Sequence, residues 1–238
     1  MSENEYPAVR TAPTLADYVR ALVAAWPEDE PPVSKGACAV LWAQFVVETG
    51  GGPKASCFGW NIGNVKHVAG DGHDWHALRG VWEGVAAAEA ARMVAAGEAV
   101  YDTNEAHKRA VAPLTAIVLD PSHPGARFRR FPSLDVAMVD HVKLLRKRFR
   151  LGWPGVLAGD FVRFAEGLKA QRYFTATSAA YVAAGRDPFA AAMASDAYDI
   201  AIGIANDPRP EPDMGGIVHG KHVVEAALAE REESEPNV

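Results

Sequence analysis

The chain is poor in cysteine, in long apolar runs and in excess positive charge, and each shortage excludes a class of function. It has two cysteines, Cys38 and Cys57, too few for a disulfide framework and without the clustered spacing of a zinc or redox motif. Two buried thiols are the expectation. No apolar stretch approaches the ~20 residues that span a bilayer, so no membrane span is expected. The 24 Lys+Arg stand against 30 Asp+Glu, a net charge of -6, and a chain without a global positive field is a poor nucleic-acid binder. The N-terminal MSENEYPAVR is acidic and polar where a secretory signal has a basic start and an apolar core. Synthesis in the cytoplasm without a signal peptide is therefore expected.

What is present is an ordinary globular composition. The 238 residues are 49% hydrophobic and 23% charged, enough apolar material for a sizeable core. Residues 1–13 read as a loose polar arm. Thr14 with Asp17 forms a capping box for a helix through Trp26, and Ser34 caps a second from about Lys35 to Thr49, stopped by glycines at 50–52. From Gly50 to Gly84 the chain is dense in glycine, aromatics and histidine without a helical period, which predicts loops and short strands.

A helix follows from Val85 to Ala96, and LTAIVL at 114–119 is β-rich and predicted to pair with LRGVWEGV. Ser133, Asp160 and either Thr175 or Thr177 start further helices. Asp187 with Pro188 at the first helical position starts another, carrying Phe189, Met193, Ile200 and Ile204. PRPEPDMGG reads as a linker before a last helix at 218–233. The expected fold is mainly α (α+β), with one domain over 14–207 and a linker with a C-terminal helix or tail over 208–238.

One carboxylate lies on the wrong face of its helix. At about 100° per residue, Glu48 falls within about 20° of Leu41 and between Ala37 and Phe45, on the apolar stripe. Burial there disfavours the ionised form and raises a carboxyl pKa, as a general acid near neutrality requires. A residue in the last turn can equally snorkel past the helix end or bond a nearby amide. The glycines that follow, in ETGGG, permit close approach of a ligand. Downstream, CFGWNIGNVKH supplies an indole, Trp60, and two amides, Asn61 and Asn64. Such groups cover sugar faces and satisfy sugar hydroxyls, although Asn-x-Gly-Asn is also good turn chemistry by itself.

These residues carry a resemblance. AQFVVETGGG followed by NIGNVK is similar to the glucosaminidase branch of the lysozyme-like peptidoglycan hydrolases, in which a helix ends in Glu-Ser/Thr-Gly and an Asn-x-x-Gly-x-Lys turn follows. ARFRRFPSLDVAMVDHVKLL resembles the family's Phe-Arg-x-Tyr-x-Ser segment. FAEGLKAQRYFTATSAAYVAAG resembles its Leu-Lys-x-x-Gly-Tyr-x-Thr block before a further Tyr. In order and approximate spacing the blocks cover residues 34–185. The chain departs from the pattern at Gly63 and Asn64, where the family has Phe-Gly, at Phe131 for Tyr, and at Arg172 for Gly.

The resemblance implies a lysozyme-like helical domain with a small β-hairpin, cleaving β-1,4 bonds of the glycan strand as an endo-β-N-acetylglucosaminidase without a cofactor. Glu48 takes the catalytic acid position, and Tyr173 supports the reacting sugar and its positively charged transition state. Trp60, Asn61, Asn64, Lys66 and Trp82 are the substrate-holding residues.

Such chemistry usually uses a second carboxylate. Glu83, in a β-like stretch beside Trp82, is the choice, with Asp71, Asp74, Asp102 and Glu105 in the same interval as alternatives. A muramidase or lytic transglycosylase on the same fold is the nearest alternative activity. A non-catalytic glycan-binding or structural part of a phage tail-like assembly is the alternative of another class.

Other constellations weigh less. His67, Asp71, His73, Asp74 and His76 suggest zinc and a wall amidase, but their spacing matches no fixed ligand frame, and no metal is expected. His219 and His222 carry still less. The basic residues Lys143, Arg146, Lys147, Arg148 and Arg150 sit at a helix C-terminus, which cations complement. With Arg127, Arg129 and Arg130 they could instead form a rim for anionic wall polymers. Since the wall lies outside the cell, release by lysis, as for a phage endolysin, or carriage on an injection apparatus is implied. The segment after Pro208 is the candidate docking element.

Overall fold

The computed structural model describes residues 6–51, 55–174 and 176–205. In chain order its elements are α1 (Leu15–Ala25), α2 (Lys35–Thr49), β1 (Asp74–Ala77), β2 (Trp82–Val85), α3 (Ala87–Ala95), β3 (Ala99–Tyr101), α4 (Glu105–Val111), β4 (Thr115–Leu119), β5 (Arg127–Arg130), α5 (Leu134–Lys147), α6 (Trp153–Ala158), α7 (Phe161–Ala170), α8 (Ser178–Ala194) and α9 (Ala197–Ala205). The architecture is α+β. Two compact units are interleaved in sequence: one joins the residues up to Thr11 to Cys57–Phe131, and the other joins Ala12–Ser56 to the residues from Pro132 onward. The linker and helix expected after Pro208, and the alternative helix start at Thr175, lie outside the described residues. No helix among the described residues is long and apolar enough to cross a membrane.

In the second unit, side chains fix where helices begin. Thr14, Ser34, Ser133, Asp160 and Thr177 each accept a hydrogen bond from the backbone N–H three residues on, an N-cap worth about 1 kcal/mol each. α2 is the central helix. Leu41, Gln44 and Phe45 are sealed from solvent, and α8 and α6 pack along it while α1 packs on α5 and α9. Fully burying a side chain such as Leu41 or Phe45 contributes about 1.5–3 kcal/mol. α2 ends at Gly50, whose left-handed φ of 82° lets its N–H close on Val46 O at 2.7 Å. α6 and α7 meet through Gly155, where a Cβ would fall 2.3 Å from Phe164 N, so only glycine allows the approach.

One expected boundary is wrong. Pro188 does not start a helix but lies inside α8, which runs on to Ala194, and the break falls instead at Ser195 before α9. Proline in a helix interior forfeits a hydrogen bond. Phe161 on α7 compensates by bridging both sides of it, stacking on Tyr181 at 6.1 Å and on Phe189 at 6.3 Å.

The first unit carries the strands. β2 and β4 pair antiparallel, as LRGVWEGV and LTAIVL predict, with Trp82 opposite Val118 and Glu83 opposite Ile117; β3 adds to the other side of β4. One face of this sheet packs Ile117, Leu119 and Ala99 on Ala90 and Met93 of α3. β1 and β5 form a separate pair, with Trp75 opposite Arg129 and His76 opposite Phe128. Composition gave no hint of that pair, because its strands read Asp-Trp-His-Ala and Arg-Phe-Arg-Arg.

Candidate functional site

Glu48 stands in the last turn of α2, partly buried. Its Oε1 accepts a hydrogen bond of 2.8 Å from the Tyr181 hydroxyl on α8. Burial raises its carboxyl to a pKa of about 7, against the Tyr181 bond, which works to lower it. The expectation from helical periodicity, a carboxylate on an apolar face with a raised pKa, thus has its physical basis in the fold. The turn that follows α2 takes Gly50 and Gly51 at φ of 82° and 61°.

Tyr173 lies in the same unit, between α7 and α8, its ring edge-on to Phe149 at 4.7 Å. Its hydroxyl is pushed well above the ordinary tyrosine range by burial and by the neighbouring Glu48 carboxylate, with Gln44 acting the other way. Glu48 and Tyr173 are therefore brought together. Tyr181 completes the group, its ring stacked on Phe174 at 4.0 Å and 7°. Sequence reasoning left Tyr181 without a role. Its only signal was position, as the further Tyr after the Tyr-x-Thr-like block.

The remaining expected residues belong to the other unit. Asn61 is 1% exposed; its Nδ2 donates to Val65 O and Arg129 O at 2.8 and 3.0 Å, and its Oδ1 accepts from Val65 N at 2.8 Å. Of the two roles open to it, the turn accounts for these bonds. Trp60 and Asn64 hold that turn at φ of 57° and 47°, and Trp60 N–H donates to Thr11 Oγ1 at 2.7 Å.

Lys66 bonds Glu83 Oε1 and donates to Gly125 O at 2.6 Å, so Glu83 is paired with a cation in this structure. Both side chains are about two-fifths exposed, and such a pair exchanges readily with solvent and other partners. Trp82, 37% exposed, stacks on His107 at 4.3 Å and 8°, and His107 Nδ1 meets Asp102 Oδ2 at 2.7 Å.

The alternative carboxylates have other tasks. Burial acts to raise Asp71, but N–H bonds from Val68 and His73 and the Arg129 guanidinium outweigh it and hold the carboxyl low. The Asn104 N–H and His107 hold Asp102 low. Asp74 lies 3.9 Å from Arg130, and Glu105 pairs with Lys108.

The histidine cluster is spread among aromatic contacts. His67 stacks on Trp75, His73 meets Phe131 edge-on, and His76 lies between Phe58 and Phe128, burial pushing its pKa down to about 4. Among the described residues no group of three or more His, Cys, Asp and Glu side chains is arranged to hold a metal ion.

Three of the basic residues are also committed. Arg146 pairs with Asp29 and Glu30, Arg129 with Asp71, and Arg127 covers the Trp75 ring at 4.5 Å. Cys38 and Cys57 are free buried thiols, burial pushing them up to about 12 and 11. An open groove of about 820 Å³ near Arg79, Val100, Val118 and Asp120 includes none of the expected site residues. The chain matches no family model, no curated protein and no solved structure.

Proposed function

We propose that this chain is a peptidoglycan hydrolase with a lysozyme-like helical domain, cleaving β-1,4 glycosidic bonds of the glycan strand as an endo-β-N-acetylglucosaminidase. The observation that carries the reading is Glu48, a carboxyl at a pKa of about 7 at the end of a buried helix, bonded to Tyr181 and beside Tyr173. An acid that is protonated near neutrality is what a glycosidic leaving oxygen needs. Oε1 accepts the Tyr181 hydroxyl proton, and the protonated carboxyl gives its own proton to the leaving oxygen. Tyr173 steadies the reacting sugar.

Two backbone details support the family resemblance. Asn64 and Arg172 stand where the family pattern has glycine, and both adopt φ in the left-handed region, 47° and 59°. Glycine takes that conformation without strain. At both positions a residue other than glycine holds a backbone that glycine favours.

Glu83 is the second carboxylate of this reading, released from Lys66 when it acts. A lytic transglycosylase is favoured by one observation: Glu83 is engaged by Lys66, and that reaction needs only Glu48 with a tyrosine. Digestion of purified peptidoglycan, with mass spectrometry of the reducing ends, decides. N-acetylglucosamine ends and a loss of about a hundredfold in Glu83→Gln are expected. Anhydro-muramic ends with Glu83→Gln fully active move the activity to transglycosylation, and muramic acid ends move it to a muramidase. Wall binding without cleavage leaves a glycan-binding module. Lysis release or carriage on an injection apparatus remains the proposed route to the wall.

A further inference from the structure

Trp82 of β2 is the only exposed tryptophan among the described residues. One face of its indole is covered, because the His107 imidazole of α4 lies flat on it at 4.3 Å and 8°. The imidazole is itself held at both nitrogens. Its Nδ1 lies 2.7 Å from Asp102 Oδ2, and its Nε2 lies 3.3 Å from Asn104 Nδ2.

The order of donors sets the protons. Asn104 Oδ1 accepts the Ala106 N–H at 2.9 Å as the N-cap of α4, which turns the amide NH2 towards His107. Nε2 is therefore the acceptor, and Nδ1 carries the proton donated to Asp102. The buried Asp102 is fixed in turn, its Oδ1 accepting the Asn104 N–H at 2.8 Å. The segment 102–106 thus immobilises one imidazole, and the imidazole fixes an indole on another element. Covering an exposed ring by packing alone needs none of these bonds.

The indole face away from His107 is the one that can receive a ligand. A ring already held flat gives up little side-chain freedom on association. The apolar surface beside it suits a partner longer than one ring. Trp82 stands opposite Val118, and Val118 opposite Val100, so the three share a face of the sheet. The strip crosses three strands, about 10 Å. Val100 is 62% exposed, and Val118 and Val100 border the open groove of about 820 Å³.

We propose that Trp82 is a platform for one sugar ring of a β-1,4-linked N-acetylhexosamine strand, and that His107, clamped by Asp102 and Asn104, is a positioning residue that holds the indole in its binding orientation. The sugar rests on the reading under Proposed function, whereas the clamp does not.

Nitrogen-15 NMR of the histidine-labelled full chain reads the clamp, with the His107 signal identified by its loss in His107→Ala. A proton on Nδ1 and none on Nε2 is expected; a proton on Nε2 overturns the clamp. Binding is measured by calorimetry with the β-1,4-linked N-acetylglucosamine tetramer, in the Glu48→Gln background so that the tetramer stays whole. Adding Trp82→Ala is expected to weaken binding about tenfold, and adding His107→Ala about threefold. The two together lose no more than Trp82→Ala alone, because His107 acts through the indole. Unchanged affinity in His107→Ala, or a further loss when it is added to Trp82→Ala, overturns the positioning role.

With Glu48 in place, each single variant is expected to raise KM on peptidoglycan by about the same factor, with kcat changed less than about twofold. If the wild type cuts the wall and Trp82→Ala leaves KM unchanged, the platform falls and the hydrolase reading stands. If the wild type cuts no wall and the tetramer does not bind, both fall.

Discussion

Tyr181 and Glu48 are separated by 133 residues and meet at 2.8 Å, the hydroxyl donating to Oε1. The bond favours the carboxylate while burial disfavours it, and burial is the larger effect. Glu48 is thereby held near neutrality instead of further above it.

Removing that hydroxyl leaves burial unopposed. In Tyr181→Phe the Glu48 pKa rises further above its value of about 7, by about one unit for a hydrogen bond to a charged group. Carbon-13 titration of the Glu48 carboxyl measures it. The alkaline limb of the rate profile moves in the same direction, because the protonated acid is the working form. A lowered or unchanged pKa contradicts the arrangement.

The same carboxyl makes stability depend on pH. Its folded pKa, about 7, lies above the ordinary 4.5, so the folded state binds the proton more tightly than the unfolded chain. The resulting stabilisation is complete below the unfolded pKa and is lost as pH rises through the folded one. Glu48→Gln is therefore expected to unfold like wild type at about pH 4, and to be more stable by up to about 3 kcal/mol at about pH 9. Denaturant melts at the two pH values measure the difference. A variant less stable than wild type at the higher pH contradicts the burial of Glu48.

Local patterns made much of this legible. Caps at Thr14, Ser34, Ser133 and Asp160 were readable because each uses a side chain three residues from its partner. Glu48 was readable as misplaced because helical periodicity is local. The β2–β4 pairing followed from two β-rich runs. Tyr181 was not readable as the partner of Glu48, since nothing local ties α8 to α2. The β1–β5 pair was hidden because its stability comes from Arg127 over Trp75 and from His76 beside Phe128, contacts that look like solvated charge in sequence. Pro188 misled for a similar reason: the aromatic bridge through Phe161 that offsets its cost comes from another helix.

Arg172 pays a conformational cost at φ of 59°, about 1 kcal/mol for a residue with a Cβ. Arg172→Gly is expected to be as stable as wild type or more stable by about 0.5 kcal/mol, after the entropy glycine loses on folding. Arg172→Val is expected to be less stable than wild type, because β-branching is least tolerated there. Thermal melts of the three proteins rank them. Valine ranking above glycine contradicts the left-handed backbone before Tyr173.

If Glu48 gives its proton to a glycosidic oxygen, as proposed, a paired digestion of peptidoglycan by wild type and Glu48→Gln separates the two proteins. Wild type is expected to release soluble glycan fragments, while Glu48→Gln folds, binds the wall and cuts at least about a hundredfold more slowly. A Glu48→Gln protein that cuts as fast as wild type contradicts the claim, and so does a wild type that leaves the glycan intact.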